Sequence, residues 1–285
     1  MRRLNFLLIV VLISTRAFAQ DVNAISVRSK ALAGNVYMLD CVGDFGGGNV
    51  AASIGDDGIL LVDAMFKMMN PKLTAELTKL SQKPIRIVIN SHFHGDHSEG
   101  SETFSKASVI ISQENLQKRF LKSSKPVDYP MVTFRDSMKI RFNGEYIHLI
   151  HPVNSHTDTD VIVFFEKSKV LHLGDLFFFG MFPAVYTEGG GNVRSLVVTI
   201  DKILAAFPAD AKVIPGHGDP ATMKDLAEYS AMLKETIAFV DAGIRANRSL
   251  TELQADPLLN KYKVLGEGGA QTTPQYIAML YKLLK

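Results

Sequence analysis

The sequence predicts an α/β protein in which β-sheets pack between layers of helices. Three observations support this fold class. Short apolar segments typical of buried strands occur along the whole chain, and longer amphipathic segments typical of helices lie between and after them. The chain shows no internal repeat with a period of about 20–50 residues, so a solenoid or propeller is not indicated. Strand-rich blocks thus alternate with helices, which is the pattern of a layered α/β architecture.

The N-terminus has the features of a secretory signal peptide covering residues 1–19. Arg2 and Arg3 are followed by a mostly apolar run at 4–13 and by the Ala-Phe-Ala motif at 17–19, so we expect cleavage after Ala19. The apolar run is shorter than the roughly 20 residues that span a bilayer. We therefore expect a periplasmic or secreted protein with no stable membrane anchor after cleavage.

The remaining chain, residues 20–285, is expected to form one domain, because no low-complexity linker divides it. The full chain has 31 Lys and Arg against 29 Asp and Glu, and the leader holds three of the arginines. The mature chain is then close to neutral and lacks the basic footprint of a nucleic-acid-binding protein. A small-molecule substrate is the expected partner, and the oligomeric state is left open.

Cys41 is the single cysteine, so no intrachain disulfide can form. A lone cysteine can act as a nucleophile or as a ligand. Free cysteine is nevertheless among the most buried residue types and behaves as a small apolar side chain. We therefore expect Cys41 to have a packing role.

The first half of the chain begins with strands predicted at 36–39, 49–54 and 58–63, and glycines 46–48 are expected to form a flexible turn. Asn70 and Pro71 predict the start of a helix that runs to about residue 80, with Asn70 as the N-cap and Pro71 at the first helical position. The next elements are a strand at 85–89, a strand at 107–111 and a helix at 113–121.

The second half begins with a hairpin of strands 139–142 and 146–150 around Asn143-Gly144, a strong turn signal. A second hairpin is predicted from strands 161–165 and 170–173. Helices are expected at 195–207 and 223–246 with a strand at 211–214 between them, and a last helix covers 274–284.

The segment SHFHGDH, residues 91–97, directly follows the predicted strand at 85–89. His92 and His94 occupy alternate positions and point the same way in an extended segment. Gly95 then lets the backbone turn, so that Asp96 and His97 can face a neighbouring point. Imidazole and carboxylate together are ligands suited to Zn²⁺, with Mn²⁺ or Fe as weaker candidates. One loop can therefore supply two ligands to each of two metal ions.

Three more candidate ligands lie between or after predicted strands, where loops carry functional residues. His156 lies in SHTDTD before the strand at 161–165. Asp175 lies in GDLFF after the strand at 170–173, and His217 lies in PGHGD after the strand at 211–214. By contrast, His148 and His172 fall inside strands and His151 just after one, so we expect structural roles for these three.

The motif HFHGDH, followed in order by His156, Asp175 and His217, resembles the metallo-β-lactamase superfamily of dinuclear metallohydrolases. GILLVD before the motif and PGHG around His217 add to the resemblance, which spans about residues 35–220. It implies a four-layer αββα sandwich with the metals at one edge of the two sheets. It also implies that His92, His94 and His156 hold one zinc ion, that Asp96, His97 and His217 hold the second, and that Asp175 bridges them.

The resemblance further implies an enzyme in which a hydroxide shared by two metal ions attacks a carbonyl or phosphorus centre, and the N-terminal pattern predicts that this enzyme is exported. Asp96 would orient that hydroxide and pass on a proton, and Asp63 would support the metal-binding loop. The expected substrates are an ester, thioester, lactone or amide, with β-lactams less expected. The lactamases lack the bridging aspartate, and they tend to place Ser or Lys where this chain has residues 176–179, Leu-Phe-Phe-Phe.

Two alternatives stay open within the same fold, a phosphodiesterase and a mononuclear iron dioxygenase. The aromatic segment 177–186 can form a hydrophobic pocket wall, with the glycines 189–191 as a flap, or it can pack in the core. Arg194 can meet an anionic substrate group, although an exposed position at a helix start is more typical of arginine.

Overall fold

The computed structural model describes residues 22–122, 130, 132–269 and 271–285, so the predicted leader at 1–19 lies outside the described residues. The described part contains two β-sheets and eight α-helices, in agreement with the α/β fold class predicted from the sequence. Within these ranges no helix combines the length and apolar character needed to cross a bilayer.

The first sheet has seven strands in chain order and the second has six. The strands of the first sheet are β1 Ser26–Ala33, β2 Val36–Val42, β3 Val50–Gly55, β4 Gly58–Val62, β5 Ile85–Ile89, β6 Val109–Gln113 and β7 Val132–Phe134. Those of the second are β8 Ser137–Phe142, β9 Glu145–Ile150, β10 Ile162–Phe165, β11 Val170–Phe178, β12 Lys212–His217 and β13 Ala221–Thr222.

The α-helices and four short 3₁₀ helices occupy the connections and the C-terminal region. The α-helices are α1 Asn70–Leu80, α2 Gly95–Ser98, α3 Ser101–Phe104, α4 Glu114–Lys122, α5 Val193–Ala206, α6 Met223–Arg245, α7 Leu250–Gln254 and α8 Thr273–Leu284. The 3₁₀ helices are Val22–Ala24, Lys67–Met69, Thr187–Gly189 and Pro257–Gly266.

Each sheet combines antiparallel and parallel strand pairs, and the last pair of the second sheet, β12 and β13, is antiparallel. Strands β1 to β4 pair antiparallel, whereas β4, β5, β6 and β7 pair parallel in turn. In the second sheet β8 to β11 pair antiparallel, and β11 pairs parallel with β12. The carboxyl ends of neighbouring parallel strands meet at one edge of a sheet, which is where ligand sites of α/β proteins are usually built.

Three apolar clusters fill the spaces between four layers. One cluster consists of inward-facing residues of both sheets, such as Met38, Leu60, Leu149 and Phe165, and lies between them. A second joins the first sheet to α1 and α3, and the third joins the second sheet to α5, α6, α7 and α8. The αββα sandwich expected from the sequence is therefore confirmed.

Most predicted elements are present with shifted ends. The Asn143-Gly144 hairpin forms as predicted, because both residues have the positive φ (49° and 77°) that a two-residue hairpin turn requires. Asn70 as N-cap is wrong: Met69 precedes the helix, Asn70 is its first residue, and the Asn70 side chain donates a hydrogen bond to the carbonyl of Gly100 (2.7 Å).

Candidate metal centre

The loop after β5 carries four of the seven predicted ligands. His92 and His94 lie in the extended part, and the short helix α2 begins at Gly95, so that Asp96 and His97 project from its first turn. The backbone N–H groups of His97 and Ser98 both donate to the carbonyl of His94, which fixes this turn (3.1 and 2.9 Å).

The other three predicted ligands reach the same edge from the second sheet. His156 comes from the connection between β9 and β10, Asp175 lies inside β11, and His217 is the last residue of β12. The register between β11 and β12 is irregular around Gly174, beside Asp175. The strand that holds Asp175 is longer than predicted, so Asp175 lies within it rather than after it.

The first group of ligand atoms belongs to His92, His94, His156 and Asp175, and these atoms all lie within 4.8 Å of one another. Nδ1 of His94 is 3.0 Å from Nε2 of His92 and 2.9 Å from Nε2 of His156. Oδ2 of Asp175 is 3.3 Å from Nε2 of His156. The four side chains therefore surround one point.

The second group belongs to Asp96, His97 and His217, again within 4.8 Å. Nε2 of His97 is 3.4 Å from Nε2 of His217, and Oδ2 of Asp96 is 3.3 Å from that same His217 nitrogen. Oδ1 of Asp175 is 3.1 Å from Nε2 of His97. The two oxygens of Asp175 thus face different groups, which is the placement of a shared ligand.

These distances fit a divalent metal such as zinc. Ligands placed tetrahedrally at about 2.0–2.1 Å from an ion lie about 3.3 Å apart, close to the spacings in both groups. In the first group three imidazole nitrogens converge, although a neutral ring has only one N–H to share. An ion that accepts lone pairs from all three satisfies them better than hydrogen bonds among themselves.

Asp63 supports the loop after β5 through hydrogen bonds, as the family resemblance implied. It follows β4 and is fully buried. Its Oδ2 lies 2.7 Å from Nδ1 of His97, and its carboxylate accepts hydrogen bonds from the backbone N–H and the hydroxyl of Ser91, both at 2.6 Å. Asp63 therefore orients the His97 ring with Nε2 toward the second group, a support typical of metal-bound histidine.

Asp160 fixes the backbone that carries His156 and was not singled out from the sequence. Its carboxylate accepts hydrogen bonds from the backbone N–H groups of His156 (2.8 Å) and Thr157 (2.9 Å) and from the Thr157 hydroxyl (2.5 Å). Burial raises the pKa of Asp160 to about 7, although these hydrogen bonds act in the opposite direction. The signal was present in SHTDTD, where an aspartate closes the loop that begins with the histidine.

Glycines allow backbone to approach the ligands closely. A Cβ on Gly48 would lie 2.1 Å from the His97 ring, and a Cβ on Gly216 would lie 2.0 Å from Oδ1 of Asp175. Asn49 ties these two segments together, because its side chain donates to the carbonyls of Pro215 and Gly218, both at 2.9 Å. Close packing, in addition to turn formation, therefore explains the last glycine of the run at 46–48.

The two groups differ electrostatically in the metal-free protein. Burial lowers the pKa of His156 to about 4, outweighing the nearby Asp175 carboxylate, which acts in the opposite direction. For His217 burial also acts to lower the pKa, but the carboxylates of Asp175 and Asp96 outweigh it and raise the pKa to about 9. The first group thus offers neutral imidazole at neutral pH, whereas the second binds a proton there.

A cleft of about 760 Å³ opens onto both groups. Its apolar lining comes largely from Phe45 and from the segment 178–186, and its charged lining includes Arg28 and Asp219. The segment 177–186 both lines the cleft and packs in the core. The residues that line the cleft are Phe178, Met181, Ala184 and Tyr186. Those buried in the core without lining the cleft are Phe177, Phe182 and Val185.

Residues predicted to be structural lie outside the two groups. His148 pairs with Glu166 (2.6 Å), and Nδ1 of His151 bonds the carbonyl of Asp160 (2.7 Å). His172 is fully buried, with Nε2 3.2 Å from the carbonyl of Asn49. The side chain of Arg194 is exposed, pairs with Asp241 and does not line the cleft. Cys41 is partly buried, and burial raises the pKa of its thiol to about 11.

Comparison with protein families supplies the decisive observation. The model of the metallo-beta-lactamase superfamily matches residues 43–217, which include all seven candidate ligands. The chain belongs to the metallo-beta-lactamase superfamily. Its curated homologues are metallo-hydrolases, the chain carries the His-rich metal site described above, and the family's divalent metal is typically zinc.

Two curated members of the superfamily show different degrees of coverage. The chain is 27% identical to the linear primary-alkylsulfatase of Pseudomonas sp. over 73% of this chain and 48% of that protein. It is 25% identical to the metallo-beta-lactamase type 2 of Elizabethkingia meningoseptica over 77% of this chain and 90% of that protein. The chain therefore spans about half the length of the alkylsulfatase that it matches.

Solved structures of the superfamily show the same fold. The metallo-beta-lactamase from Pontibacter korlensis superimposes with a TM-score of 0.64 at 19% identity, covering 73% of this chain and 99% of that one. The stereoselective inverting sec-alkylsulfatase from Pseudomonas sp. gives a TM-score of 0.73 at 15% identity, covering 90% of this chain and 50% of that one. The sec-alkylsulfatase match thus includes a larger part of this chain than the lactamase match does.

Proposed function

We propose that this protein is an exported hydrolase with two zinc ions that cleaves a carbonyl substrate, namely an ester, thioester, lactone or amide. One observation supports the proposal above all others. Seven side chains form two ligand groups, and the carboxylate of Asp175 lies between them with one oxygen toward each. His92, His94 and His156 would hold one ion, Asp96, His97 and His217 the other, and Asp175 both.

When bound, two such ions lower the pKa of water and polarise the substrate oxygen that gains charge. Asp96 lines the cleft, and its carboxylate lies beside His217. From there Asp96 would orient the attacking water, accept its proton and pass that proton to the leaving group. The apolar lining at Phe178 and Tyr186 would exclude bulk water from one side of the reacting carbonyl.

The residues after Asp175 favour esters, thioesters and lactones over β-lactams. A β-lactam carries a carboxylate that needs a cationic or hydroxyl partner. Leu176 and Phe177 are buried in the core, and Phe178 lines the cleft, so none of them supplies such a partner. Arg28, the cation in the cleft lining, is already paired with Asp40 at 2.8 Å.

Alkyl sulfate esters are the second candidate substrate class. The linear primary-alkylsulfatase is the relative with 27% identity over 73% of this chain, and the sec-alkylsulfatase structure covers 90% of it. An apolar lining beside two metal groups also suits an alkyl chain attached to a charged ester. The chain spans only about half of each of these proteins, so the sulfatase reaction ranks below the carbonyl reaction.

Metal content and a substrate panel test the proposal together. The purified protein is analysed for bound elements and assayed with a chromogenic cephalosporin, a p-nitrophenyl ester, an acyl thioester, a lactone, a p-nitrophenyl phosphodiester and dodecyl sulfate. Two zinc per chain with turnover of an ester, thioester or lactone is the expected result. Turnover of dodecyl sulfate alone would favour the second candidate substrate class, the alkyl sulfate esters. A single iron per chain would overturn the hydrolytic proposal in favour of a dioxygenase.

Export is tested separately from catalysis. We propose cleavage after Ala19, which the sequence pattern at 17–19 supports. Expression of the full chain in a Gram-negative host, followed by fractionation and intact-mass analysis, should yield a periplasmic protein that starts at Gln20. A cytoplasmic protein of full mass would contradict the proposal.

A further inference from the structure

The C-terminal part of the chain packs against the cleft, although it lies beyond the matched family region. We call residues 257–269 and 271–285 the C-terminal segment and residues 179–188 the cleft loop. The side chain of Gln271 is buried and donates a hydrogen bond to the carbonyl of Pro183 (2.8 Å). The backbone N–H of Phe182 donates to the carbonyl of Leu265 (3.3 Å). Two polar contacts thus join the segment to the loop.

Apolar contacts strengthen this junction. The rings of Phe182 and Tyr276 stack with centroids 4.2 Å apart and planes 12° apart. Both side chains are fully buried. The backbone N–H of Val185 faces the sulfur of Met279 at 3.2 Å. Stacked aromatic pairs of this kind add stability beyond the burial of their area. The cleft loop is therefore held by the C-terminal segment along much of its length.

The C-terminal segment is itself anchored to the helical layer. The hydroxyl of Tyr276, in α8, is 2.8 Å from the hydroxyl of Thr236, in α6, and both residues are fully buried. A buried hydroxyl without a partner is costly, so this contact specifies the position of α8 on α6. The position of the cleft loop consequently depends on residues distant from the metal groups.

The result of this packing is an apolar wall at the cleft. Phe182 and Val185 of the cleft loop enter the core, whereas Met181, Ala184 and Tyr186 line the cleft. Gly268 and Gly269 of the C-terminal segment also line it. A Cβ on Gly269 would meet Cβ of Met181 at 2.5 Å, whereas a Cβ on Gly268 would meet nothing within 4 Å. The space beside Gly268 is therefore open.

We propose that this wall, built jointly by the cleft loop and the C-terminal segment, binds an apolar acyl or alkyl chain of the substrate. Met181 supplies a flexible apolar surface, Tyr186 supplies a half-exposed ring, and the open space beside Gly268 leaves room for the chain. The proposal specifies the substrate of the hydrolase proposed above and rests on that function for its reaction. Recognition of the chain itself does not require turnover.

Equilibrium binding tests the wall without relying on catalysis. The zinc-loaded protein is titrated by calorimetry with hexanoate, octanoate and decanoate. Burial of each methylene strengthens binding by about fourfold, so we expect about a 16-fold gain for each step of two carbons. Dissociation constants that do not change with chain length would overturn the proposal.

Two variants and a matched control test whether the fatty acids bind at the wall. Gly268→Phe puts a ring into the open space and should weaken decanoate binding at least tenfold while hexanoate binding changes little. Tyr186→Ala should weaken decanoate binding about threefold or more. Val264→Phe adds the same ring to the C-terminal segment at a position that is 65% exposed and does not line the cleft, so it should bind as the wild type does.

The outcomes separate the wall from the reaction. Thermal melting first confirms that each variant is folded. If Gly268→Phe does not fold, Tyr186→Ala alone tests the wall. Wild-type decanoate binding by both folded variants would disprove the wall, whatever the enzyme hydrolyses. Chain-length dependence that Gly268→Phe removes would support the wall even if no ester in the panel is cleaved, and only the proposed reaction would then be rejected.

Discussion

The carboxylate of Asp63 lies 2.7 Å from Nδ1 of His97, and both side chains are completely buried. The contact leaves Nε2 of His97 facing His217 and Asp175. Because a histidine ring can bind a metal through either nitrogen, the partner of the other nitrogen decides which one is free. Asp63 thereby selects the atom that His97 would offer to an ion.

We predict that Asp63→Asn lowers zinc affinity at the second group by about 10–100-fold, the usual effect of losing the carboxylate behind a metal-bound histidine. Competition with a chelator, followed by elemental analysis, measures the change. Asp210→Asn is the control, since Asp210 is exposed and pairs only with Lys169 among the ion pairs of the described residues. Equal retention of both ions by Asp63→Asn and the wild type would contradict this role.

Asp96→Ala should reduce hydrolysis of a confirmed substrate by at least about 100-fold, because it removes a proposed ligand together with the proposed proton carrier. His148→Ala should leave turnover per folded molecule unchanged, since His148 contacts Glu166 at the surface of the second sheet. Rates under saturating zinc, normalised to folded protein, make the comparison. Full activity of Asp96→Ala would refute the two-metal mechanism.

Gly48→Ala should disrupt the second group while leaving the first largely intact. The added Cβ would lie 2.1 Å from a ring that Asp63 already holds in place, so either the ring or the β2–β3 loop must move. We expect loss of about one zinc per chain by elemental analysis. Gly268→Ala is the control, because a Cβ there meets no atom within 4 Å and the backbone does not have a positive φ, and two zinc ions should remain bound.

The stability of the metal-free protein should depend on the protonation of His217. Its pKa is raised to about 9, because the carboxylates of Asp175 and Asp96 outweigh the opposing effect of burial. A raised histidine pKa stabilises the fold fully below the ordinary value of 6.5, and the contribution disappears as the pH rises through about 9. Thermal melting of metal-free wild type and His217→Gln should therefore differ most at pH 6 and least at pH 10. A difference that grows with pH would contradict this sign.

The sequence singled out the residues of both candidate ligand groups, because each lies in or near the end of a recognisable strand or in a dense His and Asp motif. Strand β1 was missed, since SVRSKALA is polar and only Val27 is fully buried in it. The N-cap at Asn70 was wrong because a 3₁₀ turn at Lys67–Met69 precedes the helix directly, and Asn70 bonds a distant carbonyl. Single-sequence patterns do not reveal such tertiary partners.

The supporting residues divide in the same way. The role of Asp63 was implied by the family resemblance, which includes the segment GILLVD, whereas Asp160 and Asn49 were not singled out. Asn49 donates a hydrogen bond to the backbone carbonyl of Pro215, which is remote in sequence. Asp160 accepts a hydrogen bond from the backbone N–H of His156, within the same loop. The packing of Gln271 and Tyr276 on the cleft loop was equally hidden, since it depends on how α8 lies on α6.

The ligand groups draw on both sheets, because the loop after β5 belongs to the first and β11 and β12 belong to the second. Neither half of the chain contains a complete set by itself. The complete site therefore exists only when the two halves are docked. Contacts so distant in sequence are slow to form. Acquisition of metal would then report that folding is complete, and an incompletely folded chain would have no hydrolytic activity.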